Sequence, residues 1–138
     1  MTELPISERL MEMIFFALDH GVGSVQAGGP LVPFVVTHDE SAELPVLQRF
    51  LSETLETSLV EARRHCATVA ADIKYCVLAY DGFVTVDGSK NDAIMVEAFE
   101  RGTEEAVCFA QRYKPKGFLR KFSVVGNAAF LGMSPALF

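Results

Sequence analysis

The chain has 138 residues, half of them hydrophobic, with 12 basic against 18 acidic side chains and a formal net charge of −6. That length fits one domain with a core of its own, and the apolar fraction excludes disorder over most of it. The negative balance argues against a general nucleic-acid binder, which must neutralise phosphates with many cations.

A mean hydropathy of +0.26 is high for so small a chain. It predicts apolar surface that a partner covers, most simply in a homo-oligomer. Cys66, Cys76 and Cys108 are odd in number, widely spaced and without a CxxC pair. They read as reduced, buried thiols of a cytosolic protein and not as a disulfide framework. Residues 1–7 hold Glu3 and no basic cluster, which argues against a secretory signal. The charge-free runs 21–37 and 122–138 are short and broken by glycine and proline, so neither predicts a membrane-spanning helix. The expectation is a cytoplasmic protein without membrane insertion.

Residues 8–20 are the first expected helix. Ser7 suits its N-cap, Glu8 and Glu12 favour its positive end, and Gly21 is placed to stop it. Leu10, Met11, Met13, Ile14, Phe15, Phe16, Ala17 and Leu18 cover more than one stripe, which predicts burial against a sheet and against something else. Gly28-Gly29-Pro30 suggests a turn between a short strand at 24–27 and a second at 31–37, with Pro33 pushing the latter towards a sheet edge. These glycines match neither GxGxxG nor a P-loop. His38, Asp39, Glu40 and Glu43 read as a solvated polar loop, and Pro45 suits a first helical position. Leu47, Leu51, Leu55, Leu59, Ala62, Cys66 and Val69 then line one face of a long helix over 46–70.

The stretch 72–113 reads as an antiparallel meander of three segments rich in β-branched and aromatic residues. Residues 73–80 are apolar on both alternating sets, the mark of a central strand covered twice. Asp81-Gly82 is ambiguous between a turn and a bulge, and the bulge in one long strand over 73–86 is preferred. Asp87-Gly88 makes a hairpin corner, Gly102-Thr103 a break, and Gly126-Asn127 a further two-residue hairpin between 122–125 and 128–131. The apolar end, Leu137-Phe138, is expected to dock on the protein's own core or across a dimer.

Candidate chemistry is sparse. Asp81, Asp92 and Glu97 are the catalytic candidates, because paired carboxylates could hold a metal for hydrolysis. The position where a nuclease motif wants lysine after Glu97 holds Phe99, which removes the charge-stabilising group. No GxSxG elbow is present, and pairing Cys76 or Cys108 with His38 or His65 would need the fold to bring them together. No motif implies a cofactor or a metal site. Arg112, Lys114, Lys116, Arg120 and Lys121 cluster in a loop marked by Pro115 and Gly117, and could bind an anionic small molecule or an acidic protein partner.

These elements predict an α+β domain spanning 1–138: an antiparallel meander sheet of about five strands with two main helices packed on it, in the order α-β-β-α-β-β-β. That order is similar to roadblock-like and profilin-like scaffolds at the level of fold. The functional expectation is a non-enzymatic, homodimeric binding or scaffold module. A small metal-dependent hydrolase and an anion-binding protein are the alternatives.

Overall fold

Asp87 and Gly88 both take left-handed backbone angles, φ 51° and 79°. Such a two-residue corner matches the twist of the strands it joins, so the chain doubles back here into its longest hairpin. The structure, a computed structural model, describes residues 6–117 and 119–138. The leader reading at residues 1–5 and the loop residue Phe118 lie outside the described residues.

In chain order the elements are α1 (Glu8–Gln26), β1 (Phe34–Asp39), β2 (Val46–Arg49), α2 (Leu55–Ala67), β3 (Ile73–Val86), β4 (Ser89–Glu100), β5 (Glu105–Lys114) and β6 (Ser123–Pro135). All six strands join one antiparallel sheet in the order β2-β1-β3-β4-β5-β6. The fold is therefore the α+β meander with two helices, with six strands where about five were expected. No helix among the described residues is long and apolar enough to cross a membrane.

The two helices cover opposite faces. Leu10, Ile14, Ala17 and Leu18 of α1 pack on Val77, Ala79, Ile94, Val96 and Phe109. Ala62 and Cys66 of α2 pack on Val35, Cys76, Leu78, Phe99 and Ala106. β3 alternates between these clusters, as a strand apolar on both sides must. Leu137 is buried in the second cluster, and Phe138 stands edge-on to Phe99 with ring centroids 4.9 Å apart. The apolar terminus is thus docked on its own subunit.

Several local expectations give way to packing. Gly21 does not stop α1, which runs on to Gln26 and turns the strand expected at 24–27 into helix. Two glycines in a helix cost about 1 kcal/mol each. Burying Val25 offsets that cost, and Gly21 lets the helix settle against the sheet, because a Cβ there would stand 2.7 Å from Ile94 Cγ2. The long helix over 46–70 is instead β2 followed by α2. Residues 46–49 pair with Thr37 to Phe34 of β1, so Pro45 precedes a strand and not a helix. α2 begins only where Thr54 and Thr57 form a reciprocal capping box.

β3 is one long strand, but its register with β4 is unbroken through Asp81 and Gly82, so no bulge lies there. At 126–127 the chain does not turn back. It continues as β6, with register shifts against β5 in place of a hairpin. Pro33 sits just before β1, which is one strand in from the edge. The outer flanks of α1 have no cover within the subunit: Phe15 and Phe16 stay 51% and 47% exposed.

The two helix glycines should separate on substitution. Gly21→Ala should lower stability by about 1–2 kcal/mol through the clash with Ile94. Gly23→Ala, with nothing within 4 Å of its added Cβ, should raise it by up to about 1 kcal/mol. Paired urea titrations check the opposite signs.

Candidate functional site

Strand parity sorts the acidic candidates, since successive residues point to opposite faces. Asp81 on β3 and Asp92 on β4 share the α1 face with Tyr113 of β5, just past the C-terminal end of α1. They line a cleft of about 390 Å³ together with Val25, Pro30 and Lys116. Tyr113 donates its hydroxyl to Asp81 Oδ1 at 2.8 Å. Burial pushes the Asp81 carboxyl up, and the Asp92 charge adds to this against the lowering effect of the Tyr113 hydrogen bond. Burial, with Asp81 beside it, likewise pushes the Tyr113 hydroxyl up.

Glu97 points the other way, to the α2 face, so the three carboxylates do not converge. It is 6% exposed and held by three donors. Arg63 of α2 makes a bidentate pair with it, Nη1 to Oε1 at 3.0 Å and Nη2 to Oε2 at 2.6 Å. Tyr80 adds its hydroxyl to Oε2 at 2.7 Å, with the Arg63 guanidinium over the Tyr80 ring. Burial alone would raise the Glu97 carboxyl, but the Arg63 and Tyr80 hydrogen bonds outweigh it and hold the group below its ordinary range. This is a clamp between helix and sheet. Among the described residues, no three His, Cys, Asp or Glu side chains form a group able to hold a metal ion.

The basic residues divide as well. Gly117 and Arg120 pair through their backbones in the connection between β5 and β6. Lys114, Lys116, Arg120 and Lys121 are exposed on or beside it, and Arg120 Nε donates back to the Pro115 carbonyl at 3.1 Å. Arg112 instead lies on the α2 face, beside Gly126 and near Val84, Val86 and Ala110. Lys116 is the one member that lines the acidic cleft.

The cysteines and histidines are engaged separately. Cys66 and Cys76 are buried with their sulfurs 3.5 Å apart, and Cys108 is half-buried on the α2 face. His38 is buried at the end of β1, its Nε2 3.0 Å from the Ala42 carbonyl, so the solvated loop expected here is in part core. His65 leans on the Phe50 ring. The structure therefore assembles no cysteine–histidine pair from these residues. Comparison with protein-family models, with curated proteins and with solved structures finds no match to this chain.

The sequence reading missed the Arg63–Glu97–Tyr80 network, although a lone Glu inside an apolar strand was its signal. Removing the cation alone, by Arg63→Ala, should cost about 2–3 kcal/mol, less than a fully buried pair because Arg63 is itself half-exposed. With its folded-state value lowered, Glu97 contributes stability that is present above its unfolded-state value and lost as pH falls through the folded one. The Arg63→Ala deficit in urea titrations should accordingly shrink between neutral pH and about pH 3. Asp81 has the opposite sign. Its raised value favours the protonated form in the fold, so ionisation destabilises the protein as pH climbs past its unfolded-state value. Asp81→Asn should raise the melting temperature at neutral pH, with the gain vanishing below about pH 4.

Proposed function

We propose that this protein is a non-enzymatic binding or scaffold module that works as a homodimer in the cytoplasm. One observation carries the reading: among the exposed large apolar side chains, which are spread over the described surface, one group lies along α1 and the edge strand β6. Phe15, Val124, Phe130, Leu131 and Met133, all on α1 or β6, are 38–51% exposed, and a run of this kind marks a protein–protein surface. The polar groups support the same reading from the other side. Glu97 is consumed by a clamp, and His38 and His65 pack against protein groups. Three unbridged thiols, two of them with sulfurs only 3.5 Å apart, suit a reducing compartment.

A metal-dependent hydrolase would draw on Asp81 and Asp92 alone, since Glu97 lies across the sheet. Anion or acidic-partner binding keeps more of its support. Lys116, Arg120 and Lys121 line one surface pocket together with Leu119, which is 92% exposed.

Sedimentation equilibrium at micromolar concentration should give twice the 15.1 kDa chain mass. A monomer throughout that range would end the homodimer reading.

A further inference from the structure

A sheet edge offers a row of unpaired backbone donors and acceptors, and natural edges are guarded by charge, by proline or by being short. The two edges here differ sharply. β2 is four residues long and carries Arg49. β6 is thirteen residues long, holds no Asp, Glu, Lys or Arg, and has its only proline at the last position. An edge of this length and character is built to be paired.

Resting on the homodimer reading, we infer that two copies meet along β6, antiparallel about Ala129, so that their sheets continue into one of twelve strands. Gly126 and Gly132, with φ 67° and 125°, flank the pairing segment 127–131, and the register against β5 shifts close to both. Within that segment the strand is complementary to itself. About Ala129, Asn127 faces Leu131 of the second copy, Ala128 faces Phe130, and Ala129 faces its counterpart. Small sits against large, no charge opposes a like charge, and each facing pair points to one side of the sheet.

Both sides of this edge are largely apolar, with Asp19 and Gln111 among the polar liners on the α1 face and Thr85 and Arg112 among those on the other. On the α1 face Val124, Phe130 and Met133 lie opposite β5 residues of the first core cluster, and Ala128 packs against that cluster. Phe15 faces Val124 and Ala128 across an open trough of about 550 Å³. On the other face Leu131 and Ala129 border a smaller hollow lined by Val84, Val86 and Ala110. A two-fold axis perpendicular to the sheet keeps both copies of α1 on one face, so each copy closes the other's trough. Taking ~200 Å² for a large apolar side chain, the five exposed residues offer roughly 400 Å². Stable interfaces bury about 800 Å² per partner, and the backbone edge with Ser123, Asn127, Ala128 and Ala129 supplies further area. The second copy is the occupant that fits, because an uncharged, self-complementary strand needs no other sequence to pair with.

Three variants and one exchange measurement test this. Ala129→Lys sets two ammonium groups face to face and should weaken self-association about tenfold or more. Its circular dichroism should stay unchanged, since Ala129 is exposed. Ala129→Cys should form a covalent dimer under oxidised glutathione, two thiols giving up two protons and two electrons to the glutathione disulfide. Val60→Cys, exposed on α2, should not. If Ala129→Lys fails to fold, amide exchange of the wild type decides instead: protection across 127–131 should rise with protein concentration. A wild-type dimer with no Ala129→Cys crosslink, or with concentration-independent exchange in 127–131, would place the interface elsewhere. That result overturns the β6 inference and leaves the homodimer reading standing, whereas a monomeric wild type overturns both.

Discussion

A strand with two apolar faces must be covered twice, and that requirement on β3 organises the molecule. Val77 and Ala79 point to one side and Cys76 and Leu78 to the other, all fully buried. At about 1.5–3 kcal/mol for each large apolar side chain removed from water, neither face can be left to solvent. One helix on each side is the smallest solution, and the order of the chain supplies it. α1 arrives before the sheet and takes one face. α2, inserted between β2 and β3, takes the other.

The two covers are not equivalent. α1 lies across β3, β4 and β5, whereas α2 sits over β1 and β3. With only a few buried residues of its own, α2 relies also on the Arg63–Glu97–Tyr80 clamp, whose bidentate geometry fixes direction as well as distance. The outer part of the α2 face is therefore floored by β4 to β6 without a helix above it. The imbalance leaves β6 without a single buried residue.

Local signals were legible where the backbone itself dictates the outcome. The Asp87-Gly88 corner, the Gly102-Thr103 break and the unbroken length of β3 all follow from turn chemistry and two-sided apolarity. Gly21 misled because its role is tertiary. It marks where α1 nears Ile94, not where the helix ends. Leu47 to Val69 has helical spacing, yet Val46 and Leu47 are claimed by pairing to β1, which no local pattern encodes. Gly126-Asn127 resembles a hairpin in every local respect, and only its partner β5 draws it out as a strand. For the candidate site, Asp92 and Glu97 differ by an odd number of positions on one strand, so parity already placed them on opposite faces. What parity could not give was Tyr113 beneath Asp81, or Arg63 above Glu97, because both arrive from distant parts of the sequence.

The strand order also divides the chain by the time its contacts take to close. From β3 onwards every neighbour in the sheet is the next strand in sequence, joined by short connections, so these ladders form by local zippering. Joining β1 to β3 is different, since β2 and α2 both intervene and a long loop must close first. By that measure of sequence separation, the N-terminal third is the part to dock last, onto a meander already laid down.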